Sequence, residues 1–301
     1  MNRRDFLAAA GTFAAAAAVP AAQGAPAPGP QAFAPGKGRF RAGLVAYSYR
    51  TLLDAKKATY DDLVRLCVET GADGIDLTSY WLPTDGVNQY LASLRRLAWR
   101  NRVEIYSVGT RVQLIQTMEE GREKQVADVR KWVDVAQRLG ATHIRVFANQ
   151  KPETMTVAQA IEAAGDTFRR LADVSGERGV FLGLEDDGGI TVHAQECIAI
   201  VKRANHPFAQ MNLDIGNFHA PNVYDQVEMS GPYAVSTHFK TTVANDEGGG
   251  RSPYDWDRVM KMLVTGGYRG YLGLEDGGDD PATVVPRELR RLKEIAAKYS
   301  A

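Results

Sequence analysis

The 301-residue chain is predicted to fold as an α/β protein, a (β/α)8 TIM barrel. Three observations predict it. Short β-rich runs alternate with amphipathic stretches from Gly43 onward, and there are eight such runs. No glycine-rich dinucleotide fingerprint follows the first run, which argues against an open, doubly wound sheet.

The predicted strands are 44–48, 74–78, 103–108, 143–147, 180–185, 210–214, 234–238 and 270–275. Helical stretches lie between them, including 60–70, 119–139, 157–178, 192–204 and 254–265, and 286–299 follows the last strand. Apolar residues make up 45% of the chain and charged residues 24%, which suits one sizeable core. Thirty-six basic residues balance thirty-six acidic ones, so no field gathers a nucleic acid, and none is expected as a partner. The two cysteines, Cys67 and Cys197, lie in helical stretches and read as small buried hydrophobes.

The N-terminus is read as address rather than fold. Arg3-Arg4-Asp5-Phe6-Leu7 precedes an Ala-rich run at 8–19, then small residues and prolines. That order spells an export signal over 1–27, and the paired arginines give it the twin-arginine form, which points to the bacterial periplasm. A Pro/Gly-rich linker is expected over 28–41 and the barrel over 42–301. The apolar run is shorter than the roughly 20 residues of a membrane span, so no stable membrane anchor is expected after cleavage. A homo-oligomer is compatible with the sequence.

Alternation along each strand assigns the faces. Leu182 and Leu184 point to the helices, leaving Gly183 and Glu185 in the lumen. Residues 271–276 repeat residues 181–186 almost letter for letter, so Gly273 and Glu275 also face inward. The same rule turns Asn212 and Asp214, then Ser236, His238 and Lys240, then His143 and Arg145, and finally Asp76 inward. Four successive strands thereby bring Glu185, Asp214, His238 and Glu275 to their C-terminal ends, the face where barrel enzymes work. Three crowded carboxylates raise one another's pKa values, and a divalent cation relieves the repulsion. One imidazole with carboxylate oxygens suits Mn, Mg, Co or Zn, and Mn, Mg or Co is placed ahead of Zn.

At these residues the chain resembles the xylose-isomerase-like TIM-barrel family of sugar isomerases and epimerases, with ketose 3-epimerases and hydroxypyruvate isomerase among its members. The resemblance runs from about Ala42 to Lys298. It rests on Leu184-Glu185-x-x-Gly188-Gly189, Asn212-Leu-Asp214-Ile-Gly216-Asn217, Thr237-His238-Phe-Lys240, and Gly267-Tyr-Arg-Gly270 leading to Glu275. It implies that Glu185, Asp214, His238 and Glu275 bind one divalent metal ion and that Glu185 and Glu275 also serve as acid and base. The chain departs from the family twice. Many relatives have His where Asn217 stands, and here His219 lies two residues further on. Others read Glu-Asn-His where this chain has Glu185-Asp186-Asp187.

Substrate contacts are expected from Arg145, Lys240, Asn217, His219, Asp76 and Trp81. Arg145 has an equal reading as a structural ion-pair partner. Asp76 has two readings, a substrate contact or a group that orients Lys240. Tyr47, Trp81 and Trp256 are candidates to stack on a sugar face or to pack at the rim. The glycine-rich 245–252 segment reads as a lid or as slack loop. The expected activity is metal-dependent isomerisation or epimerisation of a small carbohydrate, a sugar, keto-sugar or cyclitol, through α-proton abstraction and an enediolate. A lyase or hydrolase cleaving a keto-glycoside uses the same first step. A DNA-repair endonuclease is disfavoured by neutral charge, and a non-catalytic sugar-binding barrel by the two glutamates.

Overall fold

A computed structural model describes residues 39–219, 222–244, 250–276 and 278–300. The expected export signal and the linker up to residue 38 lie outside the described residues. The strands in chain order are β1 (Arg41–Val45), β2 (Gly74–Thr78), β3 (Glu104–Gln113), β4 (His143–Phe147), β5 (Phe181–Glu185), β6 (Ala209–Asp214), β7 (Ala234–Phe239), β8 (Thr242–Ala244), β9 (Arg251–Pro253) and β10 (Tyr271–Leu274). All but β8 and β9 are parallel and close a barrel in the order β1-β2-β3-β4-β5-β6-β7-β10. β8 and β9 form a separate antiparallel pair; β9 takes in 251–252 of the glycine-rich 245–252 segment, of which 245–249 lie outside the described residues.

The helices are α1 (Arg50–Asp54), α2 (Tyr60–Thr70), α3 (Val87–Arg100), α4 (Glu119–Leu139), α5 (Val157–Gly176), α6 (Ala194–Ala204), α7 (Val223–Ser230), α8 (Trp256–Thr265) and α9 (Pro281–Ser300). Local chemistry sets several ends. Thr59 with Asp62, and Thr156 with Gln159, close capping boxes that satisfy the first amides of α2 and α5. Gly71 ends α2 in the left-handed conformation, φ 73°, that a side chain resists. No described helix is long and apolar enough to cross a membrane. Cys67 and Cys197 are free and buried.

Leu182, Leu184, Met211, Leu213, Ile144, Val146, Leu272 and Leu274 pack under the helices, as alternation requires. The lumen is filled from below by Tyr106. A methyl at Gly43 or Gly273 would come 2.6 or 2.7 Å from its side chain, so those positions admit the ring only as glycine.

The structure moves some predicted boundaries. The first strand is Arg41–Val45 rather than 44–48, and Ala46–Tyr49 turn as a 3-10 helix. Ser48 holds that turn, donating to Leu274 O at 3.0 Å and accepting from Asp276 N at 3.1 Å. Arg41, assigned to the linker, is already in the sheet, its N–H bonded to Gly270 O. The third strand runs on to Gln113, past the predicted end at 108, because β4 continues to pair with it as far as Phe147. The last helix starts at Pro281, five residues before Pro286, with Asp280 accepting from Thr283 N at its entrance.

Candidate metal centre and substrate cleft

The ends of β5, β6, β7 and β10 bring Glu185, Asp214, His238 and Glu275 together, one ligand atom from each lying within 4.8 Å of all the others. Ligands held about 2.0–2.4 Å from one ion fall within such a span. Glu185, Asp214 and His238 are at most 2% exposed, and the Glu275 side chain is 13% exposed at the mouth. His238 Nδ1 stands 2.8 Å from Glu185 Oε1 and 2.7 Å from Glu275 Oε2. Its other nitrogen, Nε2, stands 3.2 Å from Asp76 Oδ2. With the proton on Nε2, His238 donates to Asp76 and turns a lone pair toward both glutamates. Glu275 Oε2 is buried and makes no hydrogen bond despite its closeness to Nδ1. An orphan carboxylate oxygen facing an imidazole lone pair and two further carboxylates is a set that fits a divalent cation.

Two cations of the chain itself brace the cluster. Arg145 donates from one terminal NH to Glu185 Oε2 at 2.6 Å, wholly buried. Lys240 Nζ donates to Asp214 Oδ2 at 2.6 Å and to Asn217 Oδ1 at 3.1 Å, and lies 3.8 Å from Glu275 Oε1. Lys240 reaches across Gly216, where a Cβ would come 2.6 Å from its Cδ; this explains the glycine in Asp214-Ile-Gly216. Asp186 carries no part of the cleft; its Oδ1 accepts from Asp214 N at 2.8 Å and ties β5 to β6.

The electrostatics follow from burial in competition with these neighbours. Burial lifts the Asp214 carboxyl to about 6, against the opposing pull of Lys240. Burial acts in the same sense on Glu275 and Glu185 but loses, to Lys240 and His238 at Glu275 and to Arg145 and His238 at Glu185. Both stay below the usual carboxylate range. At His238 burial opposes charge, and Glu275, Asp76 and Glu185 overcome it, lifting the imidazole well above its ordinary value. A proton on His238 and a cation among the four ligands are alternative answers to one excess of negative charge.

Above the cluster opens a cleft of about 650 Å³ lined by Arg145, Lys240, Asn217, Trp81, Glu185 and Glu275, among others. Tyr47, Tyr80 and Trp81 form one aromatic wall, with ring centroids 5.9–6.4 Å apart. Trp81 Nε1 donates to Asp54 Oδ1 at 2.7 Å. Two expectations are corrected by position. Asp76 is buried beneath His238 and orients that ring, rather than Lys240 or a substrate. His219 is exposed and does not line the cleft. Of the two readings of Trp256 the structure takes the packing one, the residue being buried with its Nε1 donating to Lys240 O. Sequence reasoning missed Arg50, Tyr80, Arg111 and Asn149 as cleft residues. Tyr80 adjoins Trp81 and was within reach of the sequence. Arg111 became visible only with the extension of β3.

The family model described as "Xylose isomerase-like TIM barrel" matches residues 64–295. Among curated proteins the sequence finds no match. Solved structures with this fold include D-psicose 3-epimerase with D-tagatose from Clostridium cellulolyticum H10, 18% identical with TM-score 0.64, covering 86% of this chain and 98% of that one. A xylose isomerase-like TIM barrel protein from Mycobacterium smegmatis in complex with magnesium is 20% identical, TM-score 0.66, covering 89% and 100%. The 3-keto-D-glucoside 4-epimerase from E. coli is 15% identical, TM-score 0.64, covering 86% and 100%. At these identities the structures speak for the fold alone, whereas the family match spans most of the barrel. The chain belongs to the xylose isomerase-like TIM barrel family.

Proposed function

We propose that the chain is a divalent-metal-dependent isomerase or epimerase of a sugar, keto-sugar or cyclitol, working by α-proton abstraction through an enediolate. The carrying observation is that Glu185 and Glu275 line one cleft from strands three positions apart around the barrel, each also contributing to the Asp214–His238 cluster. Held by those four residues, a divalent cation would supply Lewis acidity to a carbonyl and its neighbouring hydroxyl. With three carboxylates to one imidazole the donor set is rich in oxygen, and we place Mn, Mg or Co ahead of Zn.

The remaining chemistry belongs to the chain. Glu275 stands at the cleft mouth, where Oε1, the oxygen not turned toward His238, is suited to take the α-proton as the C–H electron pair forms the enediolate double bond and the carbonyl π pair moves onto oxygen. For epimerisation Glu185 takes a proton from solvent and delivers it to the opposite face. For isomerisation one glutamate moves the proton between neighbouring carbons. Arg145 fixes the orientation of Glu185, and the Lys240 ammonium offsets negative charge beside Asp214 and Glu275. Trp81 and its two tyrosine neighbours offer a face to sugar C–H groups, and Asn217 with Lys240 offers polar contacts.

Incubating the protein in deuterated water with a panel of ketoses, 3-keto sugars and glycosides, followed by NMR, tests this reading. Solvent deuterium should enter the α-position, chelation should abolish it, and Mn, Mg or Co should restore it. Undiminished turnover by protein shown metal-free by elemental analysis would sink the proposal. Release of an aglycone would redirect it to the lyase or hydrolase reaction.

We also propose export to the bacterial periplasm through the twin-arginine route, supported by Arg3-Arg4 ahead of the Ala-rich run. Replacing both arginines with lysine should leave unprocessed precursor inside the cell on an immunoblot. Unchanged export of that double variant would remove the twin-arginine assignment.

A further inference from the structure

Two guanidinium groups stand in the cleft without a role in the chemistry above. Arg50 lies over the Tyr47 ring at 5.3 Å and Arg111 over the Tyr80 ring at 3.8 Å. Both line the same cleft as Glu185 and Glu275, and the two tyrosines meet edge to face with centroids 6.4 Å apart. Neither arginine side chain forms an ion pair or hydrogen bond among the described residues. Elsewhere on the surface the contrast is plain: Arg170 pairs with Glu119 and Glu123, and Arg203 with Asp166. Asp54, the carboxylate nearest in sequence to Arg50, is engaged by the Trp81 indole instead.

A stacked guanidinium keeps its planar donors free while the ring restrains its motion, so little freedom is lost when an oxyanion docks. The distance from the chemistry is bridged by named contacts. Arg111 stacks on Tyr80, whose hydroxyl lies 3.4 Å from an Arg145 NH2 group, and Arg145 holds Glu185. The arginine pair therefore belongs to the outer part of the cleft, and the carboxylate cluster to its base.

We propose that Arg50 and Arg111 receive an oxyanion, carboxylate or phosphate, carried by the substrate at the end away from its reacting carbons. This rests on the isomerase or epimerase reading and narrows it to acidic sugars or sugar phosphates over neutral ones. Charge-assisted hydrogen bonds from a guanidinium pair predict that the acidic ligand binds about 10- to 100-fold more tightly than its neutral parent.

The test is calorimetric titration of the metal-loaded, full-length protein with D-glucose, D-glucuronate and D-glucose 6-phosphate. One of the two anionic ligands should bind more tightly than glucose. Glucuronate in that place identifies a carboxylate site, and glucose 6-phosphate a phosphate site. The Arg50→Gln/Arg111→Gln double variant should lose the preference while keeping its metal content, its melting temperature and its affinity for glucose. Equal or absent binding of all three ligands by the wild type overturns the inference, as does a preference that survives in the double variant. Failure to hold a divalent ion, read separately by elemental analysis, overturns the functional reading itself.

Discussion

Residues 181–186 read Phe-Leu-Gly-Leu-Glu-Asp and residues 271–276 read Tyr-Leu-Gly-Leu-Glu-Asp, yet the barrel puts them to different use. The terminal aspartates behave alike, each clamping the neighbouring strand end: Asp186 accepts from Asp214 N, and Asp276 from Thr241 N at 2.9 Å. The glutamates diverge. Glu185 is sealed in and bonded to Arg145, whereas Glu275 keeps one oxygen unbonded and meets Lys240 only at 3.8 Å. The glycines diverge too. Gly183 makes room for the His143 imidazole and Gly273 for the Tyr106 hydroxyl. Identical local sequence therefore yields one carboxylate braced by a buried guanidinium and one set at the mouth beside His238 and Lys240, because the partners come from strands far away in the chain. A reaction that needs two proton-transfer groups of different character can be built from such a pair.

The largest effect that would break this comparison is on turnover. Glu185→Gln and Glu275→Gln should each lower kcat by about 100- to 10,000-fold, since each removes a base while keeping size and a ligating oxygen. Their stabilities should separate. Glu185→Gln leaves the buried Arg145 without its counter-charge and should lower Tm, while Glu275→Gln should leave Tm close to wild type. Near-normal turnover in both variants at full metal occupancy would reduce the two glutamates to ligands.

An intermediate effect concerns His238, which sits between the two glutamates. Asp76 accepts the Nε2 proton and so presents Nδ1 to the cluster. Asp76→Ala should weaken divalent-metal binding about 10- to 100-fold, measured by competition with a chelating indicator. An unchanged affinity would mean that His238 finds its orientation without Asp76.

The smallest effect sharpens the difference beneath the two glycines. Burial holds His143 down to about 4, so the folded protein keeps it neutral where the unfolded chain, near 6.5, takes up a proton. The unfolded state then binds more protons between those values. Stability from this group is complete above about 6.5, falls as the pH drops toward about 4, and levels off below that. The slope is about 1.4 kcal/mol per pH unit at most. His143→Gln should flatten this part of the profile in denaturant melts followed from pH 7 to pH 4. Equal slopes for variant and wild type would show that His143 does not contribute.

What the sequence by itself determined is whatever repeats with a short period. Alternation along 181–185, 210–214 and 234–240 assigned Glu185, Asp214, His238 and Lys240 to the lumen, and strand order put the first three on adjacent staves with Glu275. That succeeded because a parallel barrel strand has only two faces, and a charged group on the helix side would lie in apolar packing. The tertiary structure decided what depends on register and reach. Asp76 lies opposite His238 across the lumen, 162 positions away in the chain, and no local pattern announces that pairing. Arg111 enters the cleft because β3 outruns its predicted end along β4, a matter of inter-strand hydrogen bonds rather than of its own residues. The echo strands make the same point: their shared letters placed two glutamates, and only their non-local neighbours made those glutamates different.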